Sequence, residues 1–366
     1  KSVASTVRNI IGDDVFFARL GADDFGLILP VLSQDEAEAF CESLENAVSG
    51  LEQSLTIKEA VSISIGACLS DPEGSAITSM FEKASMALTV AKTSTYGNTQ
   101  FFSQDVRQLI IDRDILEEEI REAYIKGEFS LYYQPKIDIK TSKLIGVEAL
   151  MRWNHPTKGI ISPGVFIPVA EEIGLITKLD EWGMREACHQ CKQWQDLGCP
   201  PIAVSVNISQ AMFYQTDLVA LIRDVLKESN LQPDLLEIEL TETMAIKDIN
   251  KTVEILGEIQ RLGCHVSMDD FGTGYSSLSS LKLVPINILK IDRSLIIDVE
   301  TNNTSKYIIS AIIGLAKSMN LKTLAEGVET AGQVDFLNTI NCDFAQGYYY
   351  GKPCPSDVFE SLYISL

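Results

Sequence analysis

Residues 235–270 read LLEIELTETMAIKDINKTVEILGEIQRLGCHVSMDD, and they hold the repeating unit from which the larger part of the chain is built. The stretch opens on a short apolar run at 235–240 and closes on another at 265–268, with an amphipathic helical pattern between them. A strand, a helix and a second strand in that order favour a parallel pair, because the helix carries the chain back to its starting edge. Each run also ends on acids: Glu239 and Glu242 after the first, Asp269 and Asp270 after the second.

Working outward, the same alternation recurs. Apolar, strand-like runs occupy residues 130–138, 144–153, 202–208, 235–240, 265–268, 286–291, 322–325 and 343–350, eight in all. Eight strand–helix units in about 260 residues fit a closed α/β barrel of the TIM type, a (β/α)8 fold. A doubly wound open sheet is the alternative, but no glycine-rich phosphate loop follows the first run.

Upstream, residues 105–126 change character. Val106, Leu109, Ile110, Leu116, Ile120 and Tyr124 recur at helical spacing among many charges, and Gly127 ends the pattern. This predicts a connecting helix between a front domain at 1–104 and the barrel at 127–366. The front domain reads as α+β. Runs at 15–20 and 25–29 flank Gly21-Ala22-Asp23-Asp24 as a hairpin. Ser33 with Glu36 forms a capping box that starts a helix bearing Phe40, Leu44 and Ala47. Val61 to Ile65 alternates as a strand, a second helix is expected at 79–92 before Gly97-Asn98, and 99–102 makes a last short strand.

Bulk properties narrow the function. The 366 residues are 46% apolar and 22% charged, with a net charge of −21. Such a surface repels polymeric nucleic acid, whose binding depends on clustered Lys and Arg. A small anion in a metal-lined cleft stays open, since the metal supplies local positive charge. No apolar run approaches the roughly 20 residues of a membrane helix. The chain opens on Lys1, and no signal peptide is expected in it. A cytoplasmic fragment of a longer protein is expected, with upstream segments free to tether the whole to a membrane. Cys188 and Cys191 have zinc-like spacing but no second pair, so they read as packing neighbours among eight reduced thiols.

The ends of the runs carry the chemistry. Run two delivers Glu148, run three Asn207, run four Glu239 and Glu242, run five Asp269 and Asp270, run six Lys290 and Asp292, and run seven Glu326 and Glu329. Gln134 follows run one, and Gln346 lies in run eight. In such barrels functional groups gather at the C-terminal rim of the strands. Glu148, Glu239, Asp269, Asp270 and Glu326 would repel one another in a single cleft without cations. Two divalent ions and Lys290 supply five positive charges against these five. Oxygen ligands without His or thiolate select Mg²⁺ or Mn²⁺. Paired ions suit a phosphoryl displacement, so the pattern points to phosphodiester hydrolysis. Asp270-Phe271-Gly272 matches a kinase metal motif in isolation, without the glycine-rich loop or catalytic segment that would accompany it. His155, His189 and His265 show no catalytic spacing.

Glu148-Ala149-Leu150, continued as Met151-Arg152-Trp153, resembles the signature of EAL-domain phosphodiesterases, which linearise cyclic di-GMP to pGpG. The family's other motifs follow in order: Tyr132-Tyr133-Gln134-Pro135, Val206-Asn207-Ile208-Ser209, Glu239-Leu240-Thr241-Glu242, Asp269-Asp270-Phe271-Gly272 continuing to Leu278, Lys290-Ile291-Asp292, Ala325-Glu326-Gly327-Val328-Glu329 and Gln346-Gly347-Tyr348. The resemblance implies Glu148, Asn207, Glu239, Asp269 and Asp270 as ligands of two Mg²⁺ or Mn²⁺ ions. It places Glu326 there as ligand, through water or directly, or as a base. Lys290 resembles a water-orienting lysine, and Ca²⁺ is expected to inhibit. Gln134, Leu150, Arg152, Asp292 and Gln346 are implied as substrate-binding, with Arg152 directed at phosphate. Glu242 resembles the residue that steadies the loop beginning at Asp269. A homodimer through this domain is also implied. Inactive receptor relatives lose several of these residues and this sequence loses none, so an enzyme is expected ahead of a non-catalytic cyclic di-GMP receptor or scaffold.

Arg19-Leu20-Gly21-Ala22-Asp23-Asp24-Phe25 resembles the hairpin of GGDEF-domain diguanylate cyclases, and residues 84–98 resemble that family's final helix and turn. Ala22 replaces the second Gly and Asp24 replaces the Glu. The family's first strand and helix are not in the sequence. No Arg-x-x-Asp inhibitory motif precedes Arg19, because Ile10 and Ile11 stand where its Arg is needed. A partial, degenerate domain without cyclase activity is expected.

Overall fold

Val204, Val206, Leu236, Ile238, Leu240, Val266 and Met268 lie in one buried cluster with the helix residues Met184, Ala187, Ile222, Val225, Leu256 and Ile259. The residues between them, Ser205, Glu237, Glu239 and Ser267, are equally buried but polar. Successive strand side chains point to opposite faces. The apolar set therefore faces surrounding helices, and the polar set lines an interior.

This computed structural model describes residues 2–12, 14–21, 23–31, 33–49, 62–70, 74, 76–93, 98–272 and 281–364. It divides into two compact units, Lys1–Leu116 and Glu117–Leu366. In the first, β1 (Phe16–Arg19) pairs antiparallel with β2 (Phe25–Ile28), as the hairpin reading predicts. The amides of Leu20 and Gly21 both donate to the Asp24 carbonyl, which closes the turn; Ala22 lies outside the described residues. Ser33 Oγ accepts the Glu36 amide at 3.2 Å at the start of helix Gln34–Ser49. That helix buries Ala37, Cys41, Leu44 and Val48, so its apolar stripe runs one position away from the Phe40 and Ala47 expected. The strand expected at 61–65 begins only at its last residue: β3 is Ile65–Ala67, parallel to β4 (Thr99–Phe101). Val61 and Gly97 lie outside the described residues. Helix Ile77–Thr93 stands where the second helix is expected.

The second unit is the eight-stranded barrel. Its strands are β5 (Phe129–Asp138), β6 (Leu144–His155), then, after an added edge strand β7 (Gly159–Ile161), β8 (Ala203–Asn207), β9 (Leu236–Thr241), β10 (His265–Phe271), β11 (Ile288–Ile291), β12 (Lys322–Ala325) and β13 (Phe344–Ala345). From β6 through β8 to β13 neighbours pair in parallel, while β5 pairs antiparallel with both β6 and β13 and closes the ring.

The reversed β5 departs from a uniformly parallel ring. The five residues 139–143 form a hairpin, with Ser142 in the left-handed region at φ 56° and its amide on the Asp138 carbonyl. Parallel pairing needs a crossover of a dozen or more residues, and this link is too short for one. Gln134 consequently lies inside β5, opposite Glu148, instead of following the strand. Residues beyond Gln134 run down into the barrel. Helix Gln104–Lys126 precedes β5 and matches the connecting helix within a residue, and the division between units falls inside it.

Two glycines stand where a side chain would be strained or would not fit. Gly272 has φ +102°, where a side chain would be strained. A Cβ on Gly347 would lie 2.1 Å from the Val328 carbonyl oxygen, in backbone that cannot yield as a side chain does. Gly347→Ala is expected to destabilise the chain by about 1–3 kcal/mol through overpacking. Urea unfolding monitored by circular dichroism checks this, and an unchanged midpoint would contradict the close approach.

Candidate metal centre

Lys290, on β11, is fully buried, and its ammonium is the hub of the barrel mouth. Its Nζ lies 2.6 Å from Glu239 Oε2, 2.8 Å from Asp269 Oδ2, 2.6 Å from Glu326 Oε1 and 3.9 Å from Glu148 Oε1. These carboxylates come from four different strands or their ends, since β6, β9, β10 and β12 are curled around one axis. An ammonium carries three donors. The three short contacts use all of them.

Asp269 and Asp270 owe their places to a defect in strand pairing. Met268 pairs with Leu289 and Phe271 with Ile291, so two residues on β10 face the single Lys290. This is a β-bulge, and Asp270 within it adopts φ 56°. Asp269 turns inward to Lys290, and its Oδ1 accepts the Asp270 amide at 2.8 Å. The bulge interrupts the regular alternation of side chains at these two adjacent acids.

On the opposite wall, Asn207 Nδ2 donates to Glu148 Oε1 at 2.8 Å. Gln346 Nε2 donates to Glu148 Oε2 and, at 2.9 Å, to Gln134 Oε1. Gln134 in turn donates to the Gly351 carbonyl at 3.0 Å. Because one nitrogen of Gln346 serves two acceptors, its amide orientation is settled. Gln346 Oε1 then remains buried without a partner among the described residues. Buried acceptors are normally satisfied.

The donor set fits hard divalent cations. Glu148, Glu239 and Asp269 each offer an oxygen, all within 4.8 Å of one another. Oxygen-only ligands of this kind suit Mg²⁺ or Mn²⁺. Burial also separates the acids electrostatically. Burial raises Glu239, but the ammoniums of Lys136 and Lys290 outweigh it and hold this carboxyl well below its usual range. Burial pushes Glu326 up to about 8, with Lys290 opposing and the charges of Asp269 and Glu148 adding to the rise. Glu148 and Asp270 are raised as well, chiefly by burial. A surplus of negative charge that the two lysines leave uncompensated is what a cation would relieve.

Other residues singled out from the sequence fall around this centre. Arg152 Nη1 donates to the Met151 carbonyl at 2.8 Å, and its guanidinium lies 5.7 Å above the Tyr132 ring. Leu150, two residues along β6 towards Glu148, pairs with Tyr132 and is half-buried. Asp292 caps the short helix Arg293–Ile296 by accepting the Ser294 amide at 2.8 Å. Glu242 is buried, and its Oε2 lies 3.5 Å from the Gly272 amide, directly after the bulge. Residues 273–280 of the same motif lie outside the described residues.

Three groups escaped sequence reading. Lys136 and Glu237 are buried in the barrel, 2.9 Å apart, and Lys136 also reaches Glu239. Two-residue spacing from Gln134 and from Glu239 puts each on the inner face of its strand, and that was their available signal. Asp180, on helix Ile176–Asp196, accepts the Ser209 amide at 3.0 Å and so anchors the turn two residues beyond Asn207. The Cys188–Cys191 pair lies in the apolar core, all eight cysteines are free, and burial raises both thiols.

Comparisons with known proteins agree with this geometry. Residues 117–353 match the EAL domain family, and residues 1–98 match the family described as diguanylate cyclase, GGDEF domain. The signaling protein YkoW of Bacillus subtilis is 36% identical over 99% of this chain and 45% of its own length. MucR of Pseudomonas aeruginosa, a bifunctional diguanylate cyclase/cyclic di-GMP phosphodiesterase, is 36% identical over 97% of this chain and 52% of its own length. The chain thus spans about half the length of these relatives. A solved structure of the PaMucR phosphodiesterase in complex with c-di-GMP is 41% identical, with a TM-score of 0.65 over 67% of this chain and 99% of that one. Among the described residues, no helix is long and apolar enough to cross a membrane.

Asp180 provides a pH test. Burial lifts its carboxyl to about 6 from an ordinary 3.8, with the Ser209 bonds opposing. The folded chain then holds a proton that the unfolded chain releases, so this contribution is present below pH 3.8 and lost as the pH rises through about 6. Asp180→Asn keeps an acceptor for Ser209 and removes the titration. Its melting temperature is expected to fall less than the parent's between pH 4 and 6.5 in differential scanning fluorimetry. Parallel profiles would contradict the burial argument.

Proposed function

The chain belongs to the EAL-domain family, and from that premise we propose that it hydrolyses cyclic di-GMP to linear pGpG with two Mg²⁺ or Mn²⁺ ions. The observation that carries this reading is the convergence of Glu148, Glu239 and Asp269 within 4.8 Å at the mouth of the barrel. Asn207, Asp270 and Glu326 complete the set that would hold the ions. When bound, such a pair of cations stabilises charge on the attacking and leaving oxygens of a phosphodiester.

The chain's own groups divide the remaining work. Lys290 orients a water by exchanging one of its three carboxylate partners. Glu326 is the partner to be exchanged, because its side chain is 19% exposed against 0% for Glu239 and 13% for Asp269. Released from Lys290, Glu326 is placed at the site as a ligand, through water or directly, or as the base that takes a proton from that water. Arg152 binds a phosphate oxygen, since a guanidinium has five donors and the bond to Met151 uses one. Gln346 holds Glu148 and is itself bonded to Gln134, and both amides border the substrate with Leu150 and Asp292. Glu242 steadies the backbone at Gly272, where the loop after the bulge begins.

The front unit is proposed to have no cyclase activity. The sequence carries Ala22 and Asp24 where the resembling motif has Gly and Glu, and Asp24 is paired with Lys92 at 3.4 Å. A homodimer through the barrel unit belongs to the same reading, and light scattering tests it.

Incubation with cyclic di-GMP and Mn²⁺ is expected to yield pGpG by chromatography, and Glu148→Ala to lower the rate by at least a hundredfold. Tight binding with unchanged ligand after long incubation would select a receptor instead. Millimolar Mg²⁺ is expected to raise the melting temperature, because the cation binds the folded site alone. Ca²⁺ is expected to bind there yet support little turnover, its coordination being larger and looser. Equal rates in Ca²⁺ and Mg²⁺ would overturn that last expectation.

A further inference from the structure

Beneath the metal centre lies a second buried ammonium that the proposed chemistry does not use. Lys136 is 3% exposed, and its Nζ lies 2.7 Å from Glu239 Oε1 and 2.9 Å from Glu237 Oε1. Glu239 is therefore held on both oxygens, Oε1 by Lys136 from below and Oε2 by Lys290 from the mouth at 2.6 Å. The arrangement follows from the reversal of β5. Gln134 pairs with Glu148 at the level of the mouth, and Lys136 pairs with Gly146, two residues deeper. Glu237 lies two residues deeper than Glu239 on β9, so Lys136 meets it across the barrel floor.

We propose that Lys136 is a positioning residue for the metal centre: with its charge offset by Glu237, it fixes the Glu239 carboxylate in one orientation and leaves a single oxygen to the cation side. This rests on Glu239 being a metal ligand, as the proposed function has it. Partners that orient a ligating carboxylate typically change metal affinity by 10–100-fold when removed. The chemistry of the pair also shows why Lys136 comes with Glu237. A lone ammonium on Glu239 would add positive charge under a cation site, whereas the Lys136–Glu237 pair adds none and leaves only its geometry.

The test uses the whole chain and Mn²⁺ without substrate. Lys136→Met alone strands Glu237 as an unpaired buried charge, so the informative variants are Lys136→Met/Glu237→Gln and Lys136→Met/Glu237→Leu. Both remove one charge of each sign and keep the net charge of the barrel. Exchanging a buried ion pair for apolar groups is often neutral in stability or better, and using two replacements covers a failure of one to fold. The Mn²⁺ concentration giving half the maximal thermal shift is expected to rise about tenfold or more, and KM for cyclic di-GMP, measured at saturating Mn²⁺, to stay at the parent value. A merely structural role would lower the melting temperature in chelator and leave the Mn²⁺ midpoint alone. That result, with a clear Mn²⁺ shift in the parent, would overturn this inference and spare the proposed function. No Mn²⁺ shift in the parent would sink both.

Discussion

Four carboxylates from four strands converge on the ammonium of Lys290, and the interior of the barrel is arranged around keeping them there. Like charges at this separation repel strongly in a medium poorer than water. Three of the acids are held within 2.8 Å of Lys290, and Glu239 is shared with Lys136 as well. The compensation is incomplete. Burial, with the neighbouring charges adding to it, raises the Glu326, Glu148 and Asp270 carboxyls, and among the described residues the Gln346 amide oxygen has no partner. Sites that store unfavourable interactions of this kind are where a protein binds something, because the ligand relieves them.

The strands can carry so polar an interior because the barrel's stability comes from its outer face. Val147, Val204, Ile238, Val266 and Leu289 are fully buried against helices, and their alternate neighbours are free to be chemical. Two departures from regular strand geometry then aim particular groups. The bulge at Asp269-Asp270 sets two successive residues of β10 opposite Lys290, and the reversed β5 sends Gln134 to the mouth and Lys136 to the floor. The turn after Asn207 is anchored from outside the barrel by Asp180. Positioning is thus spread over the helices as well as the strands.

Much of this was legible in the residues. Alternating apolar runs and helical patterns predict the barrel, and acids at the ends of those runs mark its mouth. The order of motifs predicts the family to which residues 117–353 belong. The reading was weakest where a boundary or a direction depended on more than local pattern. β3 begins at Ile65, later than alternation at 61–65 suggests, and β13 covers only Phe344 and Ala345 of a longer apolar run. A run of apolar residues shows which segments are buried, and strand pairing then decides which of them carry ladder hydrogen bonds.

The sequence by itself determined the inventory: which acids, amides and lysines are present, their two-residue spacing along strands, and the apolar surfaces that force them inward. Tertiary structure alone decided which charges meet. Lys136 and Glu237 are separated by 101 positions, and Lys290 lies 51 from Glu239 and 21 from Asp269. No local rule couples groups so distant in the chain. They meet because closing the ring brings the inner faces of eight strands to one axis, and because a five-residue hairpin turns β5 against its neighbours. In that confined and water-poor space each ion pair is set by the placement of whole strands, and that placement exists only once the barrel is closed.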